Sequence, residues 1–383
     1  MKAVHIPWFT LGLRVDFLFG SRCPAQMDAM RYAVPMTYLH TVLIEFATQL
    51  LLKSGLDDDK AIAVAEILVE GDLMGHTTHG LAQLPGYLAE LEKGTMRKTG
   101  EPLVVSDFPA AVTWDGQRLP GPWLVLKAME LAAARARNQG TCSVVIRRSH
   151  HIASLASFHE RATRQGLMML LTCSDFNSGS VAPFGGLDPV FTPNPISAGI
   201  PTTGLPVVMD ISCSATTNGL TNRLHAEGKR LPAPWVLDGH GNATDDPGAL
   251  FREPKGTILP TGGLDSGHKG YGLTWLVEAL TGGLAGLGRA DPKEGWGATV
   301  FLQILDPAAF SGLAAFTRQT DAVAALCHAS RPAKSGTPVR TPGERGLTLA
   351  ATQKAYGVEL YPSVLPGLQP WAEKLGVGLP TGL

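Results

Sequence analysis

The sequence predicts an α/β or α+β fold that lacks the Rossmann nucleotide-binding unit. Helical periodicity dominates both ends of the chain, whereas short apolar runs separated by turns fill the middle. From about Thr141 to Cys173 a strand, a helix and a second strand follow one another, the order of a layered core. No GxGxxG fingerprint follows a strand; GLAGLG at 283–288 has its glycines at other spacings and sits at a helix end. The expected organisation is a poorly ordered extension over residues 1–35, a helical domain built from residues 36–110 with 306–383, and a sheet-containing domain over 111–305.

Residues 1–35 carry no clear period, and Arg14 and Asp16 interrupt any signal-type apolar core. Met36, just before the first good helix, is read as the start of the folded chain. Leu39, Val42, Phe46 and Leu50 recur at helical spacing, and Gly55 ends that helix. Asp57 to Asp59 give the next helix an acidic start; it runs to about Leu73 with Ile62, Ala65, Leu68 and Val69 on one face. Pro85 stands in the first turn of a third helix, which carries Tyr87, Leu88 and Leu91 and stops at Gly94.

Pro122 opens a helix that Gly140 closes, and Thr141 to Ile146 is a strand. A helix from about Ser154 to Gln165 and a strand from Leu167 to Cys173 follow. Residues 174–201 read as a long loop with short strands, and Val207 to Ile211 as a buried strand. Lys269 to Gly282 is a helix whose apolar face holds Leu273, Leu276, Val277 and Leu280. Ala298 to Leu305 is a strand, and helical patterns return from Phe310 to His328 and from Leu347 to Tyr356.

With 44% hydrophobic and 17% charged residues over 383 positions, the composition is that of an ordinary globular protein. A net charge of −1 provides no basic field for nucleic acid or an anionic membrane. No apolar run reaches the ~18 residues of a membrane span. The five cysteines form no CxxC pair and read as free thiols in a reducing, cytoplasmic setting. Neither a Walker loop, a GxSxG elbow, an HExxH helix nor a Cys/His metal framework is present, so no metal is expected.

What remains is a series of polar loops. GHTTHG holds His76, Thr78 and His79 between two helical patterns, where proton-handling side chains are costly in a core and useful in a site. Further along come Ser149-His150-His151, then Ala182-Pro183-Phe184-Gly185-Gly186, then Pro193-Asn194-Pro195 and the strand end Asp210-Ile211-Ser212. Gly267-His268-Lys269-Gly270 is read as a helix start whose free N–H groups and lysine suit a phosphate. Arg340-Thr341-Pro342-Gly343-Glu344-Arg345 sets two arginines around a Pro-Gly turn, which suits a phosphate or carboxylate.

In this order, from Met36 to Pro380, the loops resemble those of the malate/L-lactate dehydrogenase family that lacks a Rossmann fold. GHTTHG looks like its GxDSHG, SHHIA like SNHFG, and PNP like TNP; APFGG matches closely, Asp210 heads a loop like DxATS, GHKGYGL matches GGxKGYGL, and RTPGER resembles RxPGE. The resemblance implies a helical domain from both chain ends and a mainly antiparallel sheet domain that carries NAD or NADP. It also implies a homodimer with sites near the subunit interface. The reaction it implies is hydride transfer between the nicotinamide and C2 of a 2-hydroxy/2-oxo acid.

Carried over by position, His79 matches the acid/base histidine and Thr78 the hydroxyl beside it. Gln83 and Pro183 fall at substrate positions. The cofactor positions are His151, Ala153, Asn194, Pro195, Asp210, Ile211, Ser212, His268, Lys269, Arg340, Gly343, Glu344 and Arg345. His76 is assigned a structural role. Gln83 stands where the family commonly has a carboxylate-binding arginine, Pro193 replaces the threonine of TNP, and Leu220 replaces an aspartate of the cyclic-imine reductases. Two alternatives follow from these departures: a reductase of a cyclic 2-imino acid, and a cofactor-binding relative with little catalysis.

Overall fold

The structure is a computed structural model and describes residues 36–383; the expected extension over 1–35 lies outside the described residues. In chain order, β1 (Thr37–Tyr38) leads into three helices, α1 (His40–Lys53), α2 (Asp58–Leu73) and α3 (Leu84–Lys93). Then come β2 (Leu103–Phe108), β3 (Ala111–Asp115), α4 (Gly121–Gln139), β4 (Thr141–Ser149), α5 (Ala156–Thr163) and β5 (Met168–Ser174). They are followed by β6 (Ile196–Ile200), β7 (Val207–Ile211), α6 (Asn218–Ala226), the short strands β8 (Val236–Leu237), β9 (Ala243–Thr244) and β10 (Thr257–Ile258), and α7 (Gly263–Glu278). The chain closes with β11 (Ala298–Leu305), α8 (Leu313–Ala329), α9 (Glu344–Tyr356), β12 (Val358–Glu359) and α10 (Val364–Leu375). Helix ends follow local chemistry: Gly94, Gly140 and Gly376 end α3, α4 and α10 in the left-handed conformation that glycine adopts without a Cβ clash.

Seven strands form one mixed sheet in the order β2-β3-β4-β11-β5-β6-β7, antiparallel except between β3 and β4. Side chains alternate across it as the strand period requires. Val144, Ile146, Val300, Leu302 and Ile304 turn to the face covered by α4 and join a core that continues through α1, α2 and α3. Val145 and Phe301 turn to the other face, under Ala285 and Leu280. A smaller cluster of Val181, Phe191, Leu231, Val236, Ala249 and Ile258 packs around β8 and β10.

The apolar faces expected for two helices are corrected. Ile62 of α2 is 46% exposed, because Ala61, Val64, Ala65 and Leu68 take the buried positions. On α7 only Val277 of the expected face is buried; Thr274 shares its side, while Leu273 and Leu276 face outward. Thr281, just past α7, reaches the sheet by a hydrogen bond between its Oγ1 and Oγ of Ser174, 2.8 Å away. Of the expected face, Val277 and Leu280 turn inward, and Thr281 adds a polar contact to the sheet.

Antiparallel pairing also decides where the polar loops go. Ala298 pairs with Ser149, Thr299 with Ser174, Ile196 with Thr172, and Ile196 with Ile211. The carboxyl ends of β4, β5 and β7 and the amino ends of β6 and β11 thus share one edge of the sheet. The loops at 150–155, 192–195, 210–219 and 296–298 are brought together there, although they lie far apart in sequence.

Candidate active site

The histidine loop after α2 is seated by small residues and one buried acid. A Cβ on Gly80 would lie 2.3 Å from the Asp72 carboxylate, and one on Gly71 would lie 3.1 Å from the His79 carbonyl, so the loop packs directly onto the helix end. Oδ2 of Asp72 accepts the Leu81 N–H at 2.7 Å. Burial pushes the Asp72 carboxyl up to about 7, against the opposing pull of that N–H and of Arg223. From outside, Gln83 Nε2 donates to the Thr78 carbonyl at 2.6 Å, and Arg223 of α6 donates from Nη1 to Thr77 Oγ1 (2.9 Å) and from Nη2 to the Thr77 carbonyl (2.8 Å). Held this way, Thr78 Oγ1 lies 2.9 Å from Nδ1 of His79.

His79 faces a cavity of about 560 Å³, within the ~300–1,000 Å³ usual for small-molecule sites. Burial, then the neighbouring His76 and Arg223, lower its pKa to about 4, so the imidazole is neutral at pH 7. His151 stacks on it with ring centres 6.0 Å apart and is held well below the usual histidine range by burial, His79 and His150. Trp296, two residues before β11, lies 5.0 Å from the His151 ring and closes that wall. Its carbonyl accepts from Arg118 Nη2 at 2.7 Å.

The opposite wall comes from the sheet edge. Asn194 is fully buried, with its Oδ1 accepting from Thr192 Oγ1 (2.7 Å) and its Nδ2 donating to Glu278 Oε1 (2.8 Å). Asp210 accepts the Ala156 N–H at 2.9 Å and so caps α5; burial raises its pKa, opposed by His76. Ala153 and Asn194 line the cavity with φ of +61° and +45°, left-handed values that are uncommon away from glycine and that cluster at functional sites. The amino end of α6 contributes Thr217, Asn218 and Gly219.

Of the positions singled out in the sequence, Thr78, His79, Gln83, His151, Ala153, Asn194, Pro195, Asp210 and Ser212 line this one cavity. Pro183, Ile211, His268, Lys269, Arg340, Gly343, Glu344 and Arg345 do not. Ile211 is 44% exposed, and Phe184, beside Pro183, stacks edge-on to His268 at 5.8 Å. Gly267-His268-Lys269-Gly270 follows a break in α7 at Ser266 (φ −126°, ψ 15°) and so opens the second helical segment of that element, where the Gly270 N–H is taken by the Thr261 carbonyl at 3.2 Å. The 340–345 turn docks behind β7, where Val208 N–H donates to the Pro342 carbonyl at 3.0 Å, and Glu344 binds His328 at 2.8 Å.

A model of the malate/L-lactate dehydrogenase family matches residues 39–369. The chain belongs to that family. Membership makes it a dehydrogenase acting on CH–OH groups and implies a nicotinamide cofactor. Among its relatives is an L-lactate dehydrogenase of Cupriavidus necator, 31% identical over 88% of this chain and 97% of the relative. The malate dehydrogenase of Entamoeba histolytica shares the fold with a TM-score of 0.85 at 23% identity, over 91% of this chain and all (100%) of that one. The Δ1-piperideine-2-carboxylate reductase of Pseudomonas syringae pvar. tomato follows at 0.77 and 29% identity, over 88% and 99%.

For this dehydrogenase the cavity fits a nicotinamide. Oγ of Ser154 is buried, lines the cavity and lacks a partner in the protein, which leaves it free to bond a ligand. Ile152, Leu155, Pro193 and Ala298 add apolar surface for a ring. Among the described residues no group of His, Cys, Asp and Glu is arranged to hold a metal.

His76, assigned a structural role, lines the cavity. Trp296, in a glycine-flanked GWG turn, and Asn218 and Asn222, around Leu220, also line it without having been expected there.

Proposed function

We propose that this enzyme transfers a hydride between the C4 position of NAD or NADP and C2 of a 2-hydroxy/2-oxo acid, with His79 as the acid/base. The observation that carries this is the 2.9 Å contact between Thr78 Oγ1 and His79 Nδ1 inside the cavity. Nδ1–H donating to Thr78 leaves the Nε2 lone pair to take the hydroxyl proton during oxidation; in reduction the same nitrogen returns it. The bound nicotinamide supplies or accepts the hydride. Asn194, Ser154, Ala153 and Pro195 would hold it along the sheet edge, while Gln83 and the α6 residues face the substrate.

The reading also includes a homodimer. Trp275, Leu276 and Leu284 are 60%, 50% and 58% exposed on and just after α7, an apolar surface of the kind that subunits bury. No described helix is long and apolar enough to cross a membrane, and the four described cysteines are unpaired, which suits a cytoplasmic enzyme.

The test is a panel following nicotinamide absorbance with both cofactors against 2-oxo acids, 2-hydroxy acids and cyclic imines, run on the wild type and on His79→Ala. The variant is expected to lose roughly 10²–10⁴-fold in turnover and to keep its cofactor affinity. Full activity in His79→Ala would end the assignment. Faster turnover of a cyclic imine than of any 2-oxo acid would favour the reductase, and cofactor binding without turnover the non-catalytic relative.

A further inference from the structure

Charge balance in the cavity goes one step beyond the reaction class. Among the described residues that line it there is no lysine or arginine, whereas Asp175 and Asp210 both do. Two of its imidazoles, His79 and His151, are held neutral at pH 7. The third, His76, lies close enough to the Asp210 carboxyl to act on it.

The guanidinium groups around the cavity are already committed: Arg118 to the Trp296 carbonyl at 2.7 Å, Arg289 to the Ser178 carbonyl at 3.2 Å and to Glu278 at 2.8 Å, and Arg223 to Thr77. Arg223 gives two hydrogen bonds to Thr77 and lies over the Tyr361 ring, 3.7 Å from its centre. Gln83, which does face the cavity, spends one N–H on the Thr78 carbonyl, and what remains of it is neutral.

We propose that the cavity selects singly charged 2-hydroxy/2-oxo acids with an uncharged side chain, and that the neutral amide of Gln83 is a determinant of that choice. The inference rests on the hydride-transfer reading above. One carboxylate is matched by the amides of Asn218 and Asn222 and by the amino end of α6, all at the cavity. A second anionic group, as in malate or a sulfonated lactate, has no cation to meet and enters a partly desolvated space that already holds two aspartates. Trp296 and Leu155 instead offer apolar surface to an uncharged side chain.

Two measurements test this at pH 7.5. The first compares kcat/KM for lactate, 2-hydroxybutanoate and 3-phenyllactate with that for malate and 3-sulfolactate. The second uses calorimetry on the cofactor-bound enzyme with 2-hydroxy-2-methylpropanoate and citramalate, neither of which has a hydrogen at C2 to transfer. The singly charged member is expected to lead by at least about tenfold in both, and Gln83→Arg to move the ratio toward the dianions by at least about tenfold. Equal or better use of malate or sulfolactate, equal binding of citramalate, or an unchanged ratio in Gln83→Arg would overturn the proposal. Preferential binding of the singly charged analogue with no turnover of any acid would support the selection and overturn the hydride-transfer reading.

Discussion

The hydroxyl of Tyr87 lies 2.8 Å from Nδ1 of His151 and 3.0 Å from the same residue's carbonyl. The Ala153 N–H points at that nitrogen too, at 3.3 Å. Nδ1 is therefore an acceptor, and the proton of the neutral His151 ring sits on Nε2. The Ala153 N–H thus fixes the tautomer, and the single hydroxyl proton of the buried Tyr87, shared between Nδ1 and the His151 carbonyl, helps hold a ring stacked on the candidate acid/base.

Tyr87→Phe removes this restraint while keeping the ring that fills the core. The expected loss is on the order of 1–2 kcal/mol of stability, since a buried acceptor is left short of a partner. Turnover is expected to fall about tenfold, more than cofactor affinity does. Denaturant unfolding and steady-state kinetics on the same preparation check both; unchanged kinetics would remove His151 from the positioning of His79.

Thr78 gives a companion test. Thr78→Val keeps the shape and deletes the hydroxyl beside Nδ1, so kcat is expected to drop by roughly 10–100-fold, with Thr78→Ser recovering most of it. A valine variant as active as the wild type would leave His79 without an orienting partner.

Arg223 lowers the pKa of His79 together with burial and His76. Removing its charge in Arg223→Met raises that pKa above about 4. The acid limb of kcat/KM for hydroxy-acid oxidation, which reports the free enzyme, then moves to higher pH. Arg223→Lys keeps the charge and leaves the limb near its place, while giving up the two-pronged contact with Thr77. A profile followed from pH 4 to 8 separates the two variants, and identical limbs in wild type and Arg223→Met would sink the electrostatic role.

These residues also mark what the sequence could and could not reveal. Strands β7 and β11 stand at the limits read from apolar runs, and α4 within a residue, because Pro, Gly and β-branched runs act locally. His79, Thr78, Asn194 and Asp210, which all line the cavity, were named for the site because their loops resemble the family's. Trp296, Tyr87 and Arg223 were not, because each matters through a partner that is distant in the chain: Trp296 through Arg118, Tyr87 through His151, Arg223 through Thr77. The outward leucines of α7 misled for a related reason. Periodicity identifies an apolar face, and only the packing partners decide that Thr274 and Val277 take the buried side.

Acid should destabilise the fold through its buried imidazoles. His150 and His159 are fully buried, and burial above all brings their pKa values to about 4 and about 3. A histidine lowered from its unfolded value near 6.5 binds fewer protons when folded, so its stabilising contribution is complete above pH 6.5 and is lost as pH falls toward 4 and 3. Each contributes on the order of 1 kcal/mol per pH unit in that window. Melting temperature is expected to fall steadily from pH 7 to pH 5, and His159→Gln, which cannot titrate, to flatten the slope. An unchanged slope would show that His159 does not carry the effect.

Gly80 offers the sharpest test of how the histidine loop is seated. A Cβ there would meet the Asp72 carboxylate at 2.3 Å, and that carboxylate is itself fully buried and fixed on the Leu81 N–H. Gly80→Ala must therefore push the loop off the end of α2 or displace Asp72, at a cost of about 1–3 kcal/mol. Because His79 is the adjacent residue, the same shift moves its ring relative to the cavity. The expected result is a loss of turnover larger than the loss of stability alone explains, with cofactor affinity less affected because Asn194 and Asp210 sit on the opposite wall. Wild-type kcat in a folded Gly80→Ala enzyme would mean that the loop tolerates the displacement and that the seating on Asp72 does not set the position of His79.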